Sequence, residues 1–232
     1  HFTRFFTMLL VLGLPTGVLK AADTRESLLV STSWLAQHLN DPDLVVLQLA
    51  TSADYSAKHI PGARLAARAD FSVTNAEKGL TLELPTPDEL RQKLEGLGLS
   101  DNSRIVVSYN ANGMSQATRL VLTLDAAGLG TRTSLLDGGQ VAWEAEKRPV
   151  NADVPAATHG TLSPLKMSAP IVDADFVKAH LADPKYVIID ARDAGFYTGA
   201  QTGGSTAAPH KTGHITGAKN IPYSSLTTTD QL

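Results

Sequence analysis

Two stretches of the chain are written to one plan. Ile171-Val172-Asp173-Ala174-Asp175-Phe176 falls under Leu29-Val30-Ser31-Thr32-Ser33-Trp34, and the register then holds without a gap at an offset of 142 residues. His180 meets His38, Leu181 meets Leu39, Asp183-Pro184 meets Asp41-Pro42, Val187-Ile188-Ile189 meets Val45-Val46-Leu47, and Tyr197 meets Tyr55. An insertion, Ala200 to Thr212, intervenes, after which His214-Ile215-Thr216-Gly217-Ala218 matches His59-Ile60-Pro61-Gly62-Ala63 at an offset of 155. Self-similarity at a fixed spacing means one supersecondary plan used twice. The spacing predicts a complete domain over residues 28–150, a proline-bearing linker over 151–169, and the N-terminal half of a second domain of the same kind over 170–232.

Each copy opens with a polar start, an apolar helical face and a short run rich in β-branched residues. In the first, Trp34, Leu35, His38 and Leu39 share a helical face, and Leu44 to Leu49 reads as a buried strand. Thr86-Pro87-Asp88-Glu89 announces a helix, with Thr86 placed to cap it and Pro87 pre-set for the first turn. Leu90, Leu94 and Leu97 continue its apolar face; Ile105 to Val107 is another buried strand, and Ala117, Leu120, Val121, Leu124 and Ala127 trace a helix that Gly128 closes. Continuous apolar strands alternating with helices predict an α/β fold, a parallel sheet with helices on both faces. Ligands of such sheets bind at the carboxyl ends of the strands, which directs attention to the loop Asn110 to Met114.

Composition excludes some classes of function. A formal net charge of −3 without a cluster of Lys and Arg gives no footing for a nucleic-acid backbone. At the start, Arg4 leads into the apolar run Phe5 to Leu14, followed by Pro15, Gly17 and Ala21-Ala22, the layout of a signal peptide over residues 1–22. The apolar run is shorter than the roughly 20 residues that cross a bilayer, so the expectation is export to the periplasm or outside with no stable membrane anchor after cleavage. There is no cysteine in the sequence, hence neither a disulfide nor a thiol nucleophile.

Three motifs carry a family resemblance. Asp190-Ala191-Arg192-Asp193 with Phe196-Tyr197-Thr198-Gly199, then Gly213-His214-Ile215-Thr216-Gly217-Ala218-Lys219-Asn220-Ile221-Pro222, and in the first copy Leu136-Asp137-Gly138-Gly139 with Trp143, resemble tandem rhodaneses, the thiosulfate and mercaptopyruvate sulfurtransferases. Thr216 stands where that family usually has proline. The resemblance implies a rhodanese-like fold and transfer of a sulfane sulfur through a cysteine persulfide on a loop beside a helix N-terminus. It implies a small sulfur donor such as thiosulfate and a thiophilic acceptor as partners, and no metal or organic cofactor. The matching loop of the first copy, Asn110-Ala111-Asn112-Gly113-Met114-Ser115, has no cysteine, so the first domain reads as non-catalytic. Carried forward by 155, Asn110 projects to position 265, beyond Leu232, so the chain reads as truncated before the catalytic loop and as inert in sulfur transfer. By the same resemblance Asp190 and Arg192 are the substrate-binding candidates, aligned with Gln48 and Ala50 of the first copy, and His214 and Gly217 are structural.

Plainer readings stand beside these. Asp190 and Arg192 make sense as a strand-end ion pair alone, and His214 as a turn-fixing hydrogen bonder. His210 and His214 are four apart, but Gly203, Gly204, Pro209 and Gly213 argue against the helix that such a zinc pair needs, so no metal site is expected. The insertion reads as a mobile surface loop in which Lys211 adds positive charge, and Trp143 as a core anchor. The alternative function is a non-catalytic sulfur-binding or protein-interaction module, and a phosphatase-like relative of the fold is a third reading.

Overall fold

The structure is a computed structural model and describes residues 28–75, 80–156, 158–168, 171–205 and 208–227. The expected leader, residues 1–22, lies outside the described residues. Among those described, no helix is long and apolar enough to cross a membrane.

Residues 28–150 form an α/β unit. Its sheet consists of β1 (Leu29–Val30), β2 (Leu44–Leu49), β3 (Arg64–Ala66), β6 (Arg104–Tyr109) and β7 (Thr133–Leu136), all parallel, in the order β1-β7-β6-β2-β3. A small antiparallel pair, β4 (Val73–Asn75) and β5 (Leu80–Glu83), stands apart from it. The helices are α1 (Thr32–His38), α2 (Ser52–Ala57), α3 (Pro87–Gly96), α4 (Met114–Ala126) and α5 (Gly139–Ala145).

Strand alternation divides the core in two, because successive side chains point to opposite faces of the sheet. Val45, Leu47 and Leu49 pack with Leu90 and Leu94 of α3 and with Leu120 and Leu124 of α4. Val46 and Val106 turn the other way, onto Leu35 of α1, Ile60 and Trp143 of α5. Trp143 is fully buried and its indole N–H donates to the Pro149 carbonyl at 2.7 Å. Helix α3 starts as its sequence requires: the Thr86 hydroxyl accepts from the Glu89 N–H and the Glu89 carboxylate accepts from the Thr86 N–H, a reciprocal cap on two otherwise unpaired amides.

The segment after residue 150 is a strap on this unit. Asn151 exchanges backbone hydrogen bonds with His59, the Gly160 N–H donates to the Glu95 carbonyl at 2.8 Å, and the Ser168 N–H to the Ala126 carbonyl at 2.7 Å. Leu162 is buried in the α3/α4 core, with Leu165 and Met167 packed against it. Composition marks proline-rich connectors but is silent on docking, which here depends on where Leu162 meets the groove.

The later segment holds α6 (Ala174–Ala179), β8 (Ile189–Asp190), α7 (Ala194–Thr198) and β11 (Lys219–Asn220). The insertion forms a minimal antiparallel pair, β9 (Gly204–Ser205) with β10 (Ala208–Pro209), tied by the Thr202 hydroxyl to the His210 carbonyl at 2.6 Å.

Contacts recur at the aligned positions. The cap of α1 is Ser31, accepting from the Trp34 N–H; that of α6 is Asp173, accepting from the Phe176 N–H. His38 stacks on Trp34 with Nδ1 on its carbonyl, and His180 does the same with Phe176. Leu47 pairs with Arg64, and Ile189, 142 positions on from Leu47, pairs in parallel with Lys219, 155 on from Arg64. Burial differs sharply: Leu47 and Ile60 are 0% exposed, whereas Ile189 is 54% and Ile215 is 49% exposed.

Candidate functional site

The sheet order creates a crevice. From β2 the chain leaves toward β3, whereas from β6 it leaves toward β7, on the other side. Adjacent strands whose connections diverge open a gap at their carboxyl ends, where ligands of such sheets bind. Gln48 and Asn110 lie at that point.

A cavity of about 300 Å³ opens there, lined by Asp54, Lys58, Asn110, Gln140 and Glu144. Polar side chains of the protein satisfy one another across it. The Gln48 amide donates to Asn110 Oδ1 at 3.0 Å and to Gln140 Oε1, and Gln48 Oε1 accepts from the Ile60 N–H at 3.2 Å. Gln140 donates to Glu144 at 2.6 Å, and Glu144 pairs with Lys58 at 2.6 Å, which holds the Glu144 carboxyl below its ordinary range despite the opposing effect of burial. Asp54 and Glu144 outnumber Lys58, so the lining carries a net negative charge that opposes an anion.

The corresponding strand end of the later segment has the opposite balance. Asp190 and Arg192 meet at the end of β8 beside a cavity of about 550 Å³ that Lys211 and His214 also line. Arg192 binds Asp190 through two contacts, Nε to Oδ1 at 2.9 Å and a terminal nitrogen to Oδ2 at 2.6 Å, and that nitrogen also reaches the Gly213 carbonyl at 2.8 Å. These bonds from Arg192 hold the Asp190 carboxyl at about 2. With that charge pair closed on itself, Lys211 from the insertion leaves the lining with one excess positive charge, favouring an anion. Much of the cavity floor is core in the first unit: Ile188 and Ile215 occupy the places of Val46, 4% exposed, and Ile60, 0% exposed.

His214 and Gly217 form a clasp whose contacts His59 and Gly62 repeat in the first unit. His214 stacks on Tyr197 at 3.7 Å and its Nδ1–H donates to the Tyr197 carbonyl at 2.7 Å, while the Tyr197 hydroxyl donates to the Ala218 carbonyl at 2.8 Å. His59, Tyr55 and Ala63 make the same three contacts at 4.0, 2.8 and 2.7 Å. Gly217 and Gly62 turn the chain at φ of 82° and 75°, a region that side chains disfavour. No group of His, Cys, Asp and Glu among the described residues has the geometry to hold a metal.

Sequence reasoning placed Asp190 with Arg192 and His214 with Gly217, but it missed Lys58, Gln140 and Glu144. A signal was present: Gln48 interrupts the apolar run Leu44 to Leu49, and a polar side chain in a buried strand needs partners. Gln140 and Glu144, one turn apart on a helix after Gly138-Gly139, were the partners to look for.

The rhodanese-like domain profile matches residues 31–146, half of the chain. The chain belongs to the rhodanese-like family. The sulfur carrier protein TtuD of Thermus thermophilus is 27% identical over 211 residues, covering 87% of this chain and 72% of that protein. A thiosulfate sulfurtransferase of Azotobacter vinelandii is 29% identical over 196 residues, covering 84% of this chain and 69% of its own. Among solved structures, a 3-mercaptopyruvate sulfotransferase of Escherichia coli superposes with a TM-score of 0.72 at 23% identity, over 89% of this rhodanese-like chain and 79% of that one. The structural likeness speaks for the fold, a parallel sheet with helices on both faces.

Proposed function

We propose that this polypeptide is part of an exported tandem rhodanese, a sulfurtransferase that moves a sulfane sulfur from thiosulfate or a similar anionic donor to a thiophilic acceptor. The first unit is its non-catalytic copy, and the segment from 170 onward opens the catalytic one. The thiol that takes up the sulfur as a persulfide belongs to a loop beyond Leu232, near projected position 265. Names of relatives in the family support sulfur transfer as the class of activity. The observation that carries the assignment of roles is the opposite charge of the two strand ends: Gln48 and its partners close the first with net negative charge, whereas Lys211 leaves the second positive.

Chemically, the first loop cannot act as nucleophile, because Asn110 to Ser115 contain no thiol. In the second, the Asp190–Arg192 pair and the His214–Tyr197 clasp hold the strand end and the following turn in place, and Lys211 draws in the anionic donor. The test is a polypeptide continued past Leu232 by its natural sequence, incubated with thiosulfate and weighed by mass spectrometry. A gain of one sulfur atom on a cysteine of the continuation supports the reading. A continuation without cysteine favours the sulfur-binding or interaction module, the reading that the cysteine-free first loop favours on its own.

A further inference from the structure

A third cavity, of about 190 Å³, lies between the turn Arg68–Asp70, β5 and the first turn of α4. Arg68, Phe71, Ser72, Leu82, Ser115 and Arg119 line it, and no carboxylate does among the described residues. Two guanidinium groups thus share one small space in a chain whose net charge is −3. Every other described arginine side chain is engaged: Arg91 and Glu95, Arg148 and Glu146, and Arg192 and Asp190 are ion pairs, while Arg64, Arg104 and Arg132 bond to carbonyls or hydroxyls. Arg119 is anchored by the Leu82 carbonyl at 2.7 Å and the Thr123 hydroxyl at 3.4 Å, which leaves further N–H groups of its fork unused. Among the described residues the Arg68 guanidinium alone has no partner.

Beside Ser72, Ser115 and Gln116, the remaining wall has an apolar part, Phe71 and Leu82. Phe71 is 1% exposed, and Leu82 is 44% exposed at a φ of 61°, a left-handed conformation that leucine disfavours and that persists only where the surroundings fix it. What fixes it here is its carbonyl on Arg119. The volume equals about six waters, room for a molecule of a few heavy atoms.

We propose that this cavity binds a short aliphatic carboxylate, its oxygens on the forks of Arg68 and Arg119 and its carbon body on Phe71 and Leu82. Planar guanidinium groups match a carboxylate bidentately, and the apolar wall favours an organic acid over an inorganic oxyanion. The site is independent of the sulfur-transfer reading, since it lies wholly in the first unit. The probe is sodium propionate titrated into the ¹⁵N-labelled chain, with sodium sulfate and sodium chloride at equal ionic strength as the other arms. Expected is a saturable shift of the Ser72, Ser115 and Gln116 amides with propionate, weakened about tenfold in Arg68→Ala, the loss of a charged hydrogen bond worth about 1.4 kcal/mol, and partly restored in Arg68→Lys. Arg68 is exposed, so the alanine variant folds, which an unchanged tryptophan emission verifies. Absence of a saturable shift, equal binding by Arg68→Ala, or sulfate binding as tight as propionate overturns the proposal.

Discussion

Placing the polar pair of β8 onto β2 tests whether the two strand ends share one geometry. Gln48→Asp in the first unit removes both amide donors, from Asn110 Oδ1 at 3.0 Å and from Gln140, and leaves a carboxylate at a fully buried position. An uncompensated buried charge costs about 3–5 kcal/mol. Ala50→Arg alone, at a half-buried strand end, changes stability by about 0.5 kcal/mol or less. Together they restore the pair made by Asp190 and Arg192, whose fork bonds span 2.6 to 2.9 Å and whose arginine also reaches the Gly213 carbonyl, aligned with that of Lys58. Hydrogen bonds to charged groups contribute about 1.5–3 kcal/mol, so the double variant should recover about 2 kcal/mol of the loss. Urea unfolding followed by tryptophan emission reads this cleanly, because both tryptophans, Trp34 and Trp143, lie in the first unit. A double-mutant cycle whose two losses simply add, within about 0.5 kcal/mol, would refute the shared geometry.

Other expectations follow from single contacts. Leu162→Ala, at a site only 4% exposed in the α3/α4 core, should destabilise the first unit by about 2–4 kcal/mol and raise hydrogen exchange along 160–168; an unchanged urea midpoint would mean that the strap is not part of the fold. Leu47→Ala should cost about 3 kcal/mol, whereas the aligned Ile189→Ala, 54% exposed, should leave the tryptophan-detected transition in place, and equal effects would contradict the difference in packing. Arg192 lowers the Asp190 carboxyl from 3.8 to about 2 in the folded chain. Its stabilising contribution is therefore complete above pH 3.8 and lost as pH falls through about 2. A carboxyl carbon resonance titrating near 4 in the folded protein would refute the pair.

The fold of the first unit was legible because its elements are set by short-range rules. Apolar runs at Leu44 to Leu49 and Ile105 to Val107, the cap at Thr86 and the helical face from Ala117 each became the predicted element, with β6 extending to Tyr109 and α4 starting at Met114. The likeness of the surroundings of His59 and His214 was legible too, since both stretches set a tyrosine, a histidine and a glycine in the same order and each histidine stacks on its tyrosine. Long-range partners were not. The pairing of Lys58 with Glu144 joins residues 86 apart, and nothing in the local pattern announces it. The arginine-lined cavity likewise gathers Arg68 and Arg119 from elements that only the folded chain brings together.

The claim that this rhodanese-like chain carries a silent first site and the opening of a competent second one meets its most direct test in cyanide-dependent thiocyanate formation from thiosulfate. The account predicts no turnover by residues 1–232, which contain no thiol, and turnover once the natural continuation supplies one. Thiocyanate produced by residues 1–232 alone would contradict it.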